Sequence, residues 1–137
     1  MERIYSKVDP SVLLHTIIRA DDINENRLDV SNPEEFLQIS VFQIHDGKTF
    51  RPHKHIPCEK VMTLPQESWI VISGSVSVFY YELDDTLMGE WVIGARDATV
   101  TFRGGHTYKA LSDYTRIYEI KNGPYTGQAE DKVFINN

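Results

Sequence analysis

Alternation of apolar and polar positions is clearest at residues 75–82, SVSVFYYE, where Val76, Val78 and Tyr80 fall on one face of an extended chain. The following LDD reads as a turn, and TLMGEWVIG (86–94) as the returning strand. DATVTF (97–102) places Ala98, Val100 and Phe102 on one face, and the double glycine at 104–105 breaks the chain before HTYKAL. TRIYEIK (115–121) is a further short strand, ended by the turn signal NGP. FLQISVFQIH (36–45) and WIVIS (69–73) are β-branched and aromatic and also read as strands. Helical periodicity is scarce. Its best candidate is DPSVLLHTIIRADDI (9–23), capped by Asp9 or Ser11, but LLHTII within it reads equally well as a strand. About eight closely spaced strands predict an all-β sandwich or barrel.

Composition narrows the picture. A chain of 137 residues buries one core without staples, and no repeat or low-complexity tract divides it. The expected organisation is one domain over residues 31–137, with residues 1–30 adding a segment to the barrel or to a dimer interface. A net charge of −6 argues against nucleic acid, and the small basic cluster Arg51, His53, Lys54 and His55 does not outweigh it. Cys58 is the only cysteine, so no intrachain disulfide forms. No apolar run is long enough to cross a bilayer, and MERIYSKVDP lacks the hydrophobic centre of a signal peptide. The expectation is a cytoplasmic protein with no membrane partner.

The chemistry lies with the histidines. In a strand, residues two apart share a face, so His53 and His55 would present two imidazoles side by side. They stand in the pattern Gly47-x5-His53-x-His55, followed by Glu67-x6-Gly74 and then by His106 after a strand and a double glycine. This order resembles the two motifs of the cupin superfamily. The resemblance implies a double-stranded β-helix, or jelly roll, in which His53, His55, Glu67 and His106 bind one divalent metal. The strand count independently gives the same fold class. Glu59 has the usual cupin offset from the histidine pair, but Gln66 and not glycine stands where its motif should end, and Pro57 interrupts a strand there. Glu67 has the right downstream context, so the economical reading is an inserted loop, IPCEKVMTLPQ, near the cavity mouth. Glu67 is then the fourth ligand and Glu59 a solvated loop residue.

The second motif departs from the family pattern. FRGGH is one residue short, with Phe102 where proline is common and Ala110 where asparagine often stands. A closer resemblance runs from about Arg27 to Ile135. The PH-x-H block and the tail YEIKNGPYTGQAEDKVFI are similar to the small WbuC-type cupins of bacterial polysaccharide biosynthesis clusters. It implies a sugar or sugar-nucleotide context.

Three imidazoles and a carboxylate suit Fe, Mn, Ni, Co or Zn. The chemistry expected of such a site is Lewis-acid isomerisation or epimerisation, or iron-dependent oxidation, of a small polar or sugar-related metabolite. The alternative is a non-catalytic binding or regulatory cupin. Strand parity puts Arg51 beside the histidine pair as a substrate-binding residue, and Tyr108 beside His106 in the same role. In RIYEIK either Tyr118 and Ile120 or Ile117, Glu119 and Lys121 face the cavity; if the second set does, Glu119 is the candidate general base. His15 and His45 are expected in structural or surface roles, and Trp69 and Trp91 as core or interface aromatics. Small cupins commonly pair through their sheets, so a homodimer is the expected assembly.

Overall fold

The computed structural model describes residues 1–135. Ten strands lie among them: β1 (Glu2–Tyr5), β2 (Leu13–Ile18), β3 (Leu28–Asp29), β4 (Ser40–Val41), β5 (Glu67–Ser73), β6 (Ser75–Tyr81), β7 (Leu87–Gly94), β8 (Ala98–Thr101), β9 (Gly105–Ala110) and β10 (Arg116–Lys121). A 3₁₀ turn at Ala20–Asp22 and one short helix, α1 (Gln128–Asp131), complete the regular structure of the described residues.

The strands form a five-stranded sheet in the order β1-β2-β8-β5-β10, a three-stranded sheet β7-β6-β9, and the small pair β3-β4. Every ladder is antiparallel. The fold is therefore nearly all-β and compatible with a β-sandwich. No helix of the described residues is long and apolar enough to cross a membrane.

Two apolar clusters lie on the two faces of the five-stranded sheet. Ile4, Ile17 and Val71 meet Val76, Val78, Tyr80 and Ile93 of the three-stranded sheet. On the outer face, Leu13, Ile18, Val100 and Phe102 pack with Val30 and Leu37 under the 20–41 segment. Each fully buried aliphatic side chain contributes about 1.5–3 kcal/mol relative to leaving it exposed. The interior strand β2 is buried at all six positions because it is covered on both faces. That explains its ambiguous sequence: LLHTII has no polar face, so neither a period of two nor one of 3.6 shows through.

The alternation in SVSVFYYE is fully expressed, with Val76, Val78 and Tyr80 all buried. Val100 and Phe102 likewise share one buried face, with Ala98 packed against it. Gly74 makes the turn between β5 and β6 at φ +82°, a left-handed conformation that favours glycine. The strand expected over 36–45 shrinks to Ser40–Val41. Beyond it only single backbone hydrogen bonds continue the pairing, among them Val30 N to Ile39 O at 2.9 Å and Gln43 N to Glu25 O at 3.0 Å. Phe42 and Ile44 remain exposed, Phe42 lying edge-on to Phe50 at 6.4 Å. Residues 1–30 are integral to the sandwich, because β2 lies between β1 and β8.

Candidate functional site

At one end of the sandwich a half-open cavity of about 930 Å³ lies between the two sheets. Register determines its walls. On β5, Glu67 and Trp69 point inward with Val71 of the core. Their β10 partners are Lys121 and Glu119, and their β8 partners Thr101 and Thr99. Across the gap, β9 contributes His106 and Tyr108, paired with Tyr80 and Val78 of β6. On β10, Tyr118 is 63% exposed and Ile120 43%, whereas Glu119 and Lys121 line the cavity and Ile117 packs against the core.

The central contact joins Glu67 Oε1 to His106 Nε2 at 3.2 Å. Burial pulls the Glu67 carboxyl upward, but the hydrogen bond and charge of His106, with the charges of Lys132 and Lys121, hold it below its usual range. Lys121 Nζ lies 3.5 Å from Glu119, 3.9 Å from Glu67 and 4.0 Å from Asp131. Burial works against its charge, yet these carboxylates, Glu119 foremost, raise its pKa. Trp69 stacks on Tyr108 with ring centres 3.7 Å apart and planes within 9°. Burial pushes the Tyr108 phenol well above its ordinary value, and nearby Tyr80 and Glu67 add to the rise. The Thr101 hydroxyl opposes it without reaching hydrogen-bond geometry, so the Tyr108 oxygen stays unpartnered and protonated.

A neighbouring cluster fixes the start of β5. Buried Gln66 accepts from Leu37 N at 2.7 Å, donates to Glu35 at 2.5 Å, and its backbone N–H donates to Asn122 at 2.8 Å. Arg103 donates to the same Glu35 at 2.7 Å. Gln66, where the Glu59 alignment would need a glycine, is thus a structural anchor.

Of the four expected metal ligands, the fold brings Glu67 and His106 together in the cavity. His53 and His55 stand side by side elsewhere, ring centres 5.5 Å apart on an exposed stretch without regular structure. His53 Nδ1 lies 3.0 Å from the Arg51 carbonyl oxygen. No strand runs through residues 51–66, where Pro52, Pro57 and Pro65 interrupt the chain. The parity that placed Arg51 on the histidines' inward face therefore has no basis here, and Arg51 is exposed away from the cavity wall. Glu59 is exposed on the same stretch. Among the described residues no group of three or more His, Cys, Asp and Glu stands close enough to share an ion.

The Glu67–His106 half does suit a metal. A separation of 3.2 Å matches two donor atoms on one tetrahedral ion with bonds of about 2.0–2.1 Å. His106 Nδ1 is buried without a hydrogen-bond partner, an arrangement that a further polar group in the cavity would relieve.

His15 is buried, stacked on Tyr80 at 3.9 Å and 3.1 Å from Thr101 Oγ1, in the structural role expected of it. His45 is exposed. Trp91 packs against the core and donates to Glu2, whereas Trp69 belongs to the cavity wall. Sequence reasoning missed the chain's last described segment. Asp131, Lys132, Phe134 and Ile135 line the cavity, though in the sequence their stretch stood out only as a family mark. Set against known proteins, the chain matches no family profile, no curated relative and no solved structure.

Proposed function

We propose that this protein is a small cupin-type metalloprotein whose cavity between the sheets is an enzyme active site for a small polar, sugar-related metabolite. The observation that carries the reading is the Glu67–His106 contact, half-buried between two antiparallel sheets and ringed by Tyr108, Glu119 and Lys121. Glu67 and His106 would hold a divalent ion, with His53 and His55 brought to the cavity mouth by their exposed segment. Such an ion supplies Lewis acidity toward a carbonyl or hydroxyl oxygen. The protein's own groups supply the rest. Tyr108 keeps its proton and donates a hydrogen bond, Glu119 accepts a proton, and Lys121 steadies the resulting charge. Elemental analysis of freshly purified wild type and His106→Ala is the test: about one ion per chain in the first and loss in the second is expected. Protein that takes up no divalent ion excludes the reading.

A non-catalytic binding protein is the second reading, favoured by the separation of the histidine pair from the cavity. It predicts ligands that bind and are recovered unchanged. Assembly as a homodimer would cover Ile72, Tyr118 and Ile120, which form an exposed apolar strip on β5 and β10.

A further inference from the structure

The cations of the cavity are unequally paired. Arg103 is committed to Glu35 at 2.7 Å. Lys121 is not: its three carboxylates lie at 3.5–4.0 Å, beyond the roughly 2.7–2.9 Å of a charge-assisted hydrogen bond. An ammonium carries three donors, and the nearest acceptor, Glu119, holds one of them only at 3.5 Å. Lys132 also lines the cavity, where Glu67 feels its charge, and among the described residues it has no carboxylate within ion-pair distance. Lys121 comes from β10 and Lys132 from the segment after α1. The stretch from Tyr125 to Ile135 is built into the wall: Ile135 lies over Gly105, where a Cβ would collide with it, Asp131 of α1 faces Lys121, and Lys121 sits 5.0 Å above the Tyr125 ring.

We propose that the cavity takes a small anionic metabolite whose acidic oxygens bind between Lys121 and Lys132, so that residues 127–135 select the ligand for charge. The proposal rests on the cavity being the working site and deepens that reading by naming its ligand class. The ligand's acid must compete with three resident carboxylates. It does so by approaching more closely, because attraction and hydrogen bonding both strengthen as the separation shortens. A neutral sugar has no comparable gain. Carboxylate and phosphate share this chemistry.

Titration calorimetry of the full chain with glucuronate, glucose 1-phosphate and glucose separates the cases, with metal content measured on the same samples. Both acids are expected to bind about tenfold or more tightly than glucose. Lys132→Met, on an exposed residue, is expected to cost about tenfold for the acids, with no change for glucose or in metal content. Binding of only the phosphate or only the carboxylate supports the proposal and identifies the group. Glucose binding as tightly as the acids, neither acid binding, or Lys132→Met binding them like wild type overturns it. Metal-free protein that still prefers the acids removes the metal reading alone; metal-replete protein without that preference removes this one alone.

Discussion

Glu67 and His106 meet across the sandwich, one from the first position of β5 and the other from the second position of β9, with Oε1 and Nε2 3.2 Å apart. They stand 39 positions apart in the chain, and two different sheets carry them. The contact ranks the two candidate glutamates: Glu67 is inside and Glu59 is on an exposed coil.

Metal content should follow that ranking. Losing even a residue that supports a metal ligand costs about 10–100-fold in affinity, so Glu67→Gln and His106→Ala should each cost at least as much. Glu59→Gln should keep its metal. His53→Ala distinguishes a four-ligand site from one built on the cavity pair alone, because only the first loses its ion.

Gly74→Ala should destabilise the fold by about 1–3 kcal/mol. The residue is in a left-handed conformation, and a Cβ there would meet Thr115 Oγ1 at 2.5 Å and Thr115 Cα at 3.0 Å. The second contact is backbone and cannot rotate away. Urea unfolding measures the shift, and an unchanged midpoint would contradict the crowding described at this turn.

His15 predicts a pH dependence. Burial, reinforced by the charge of His106, lowers its pKa from 6.5 to about 3, against smaller opposing effects of Tyr81 and Glu82. The unfolded chain therefore binds a proton that the native state refuses. Stability is full above pH 6.5 and falls as the pH drops toward 3, by at most about 1.4 kcal/mol per pH unit. Denaturation curves between pH 6.5 and 5 should slope in wild type and flatten in His15→Gln.

Trp69 should report on cavity occupancy. It stacks on Tyr108 inside the wall, while Trp91 lies against the core beside Tyr80. In Trp91→Phe the remaining indole emission should change when a ligand enters. In Trp69→Phe it should not, and equal responses would place the ligand elsewhere.

Much of the sandwich was legible because its strands have one wet and one dry face. Val76, Val78 and Tyr80 announced their burial by alternation, and Glu119 and Lys121 kept the shared face that parity required of them. LLHTII was opaque for the opposite reason, since both its faces are covered. Arg51 stands on a stretch interrupted by prolines, where no strand forms and parity does not define a face. Residues 36–45 have the composition of a strand, yet a regular ladder forms only at Ser40 and Val41, with single backbone contacts from Ile39 to Val30 and from Gln43 to Glu25 beyond it. Lys132 and Ile135 were invisible as site residues, because nothing local in QAEDKVFI says that it lies against Gly105 and Glu67.

The exposed stretch before β5 has one more consequence. Lys54 and Lys60 lie on it, open to a protease, while β2 before the stretch is hydrogen-bonded to β8 after it. The outer apolar cluster likewise draws Leu13, Ile18, Val30 and Leu37 from one side of the stretch and Val100 and Phe102 from the other. Brief trypsin treatment should therefore yield two fragments that elute together as one folded particle. The histidine pair would then sit at or near a free chain end. The sandwich and its cavity would survive without a tether, giving a way to ask what the pair contributes without altering a single cavity side chain.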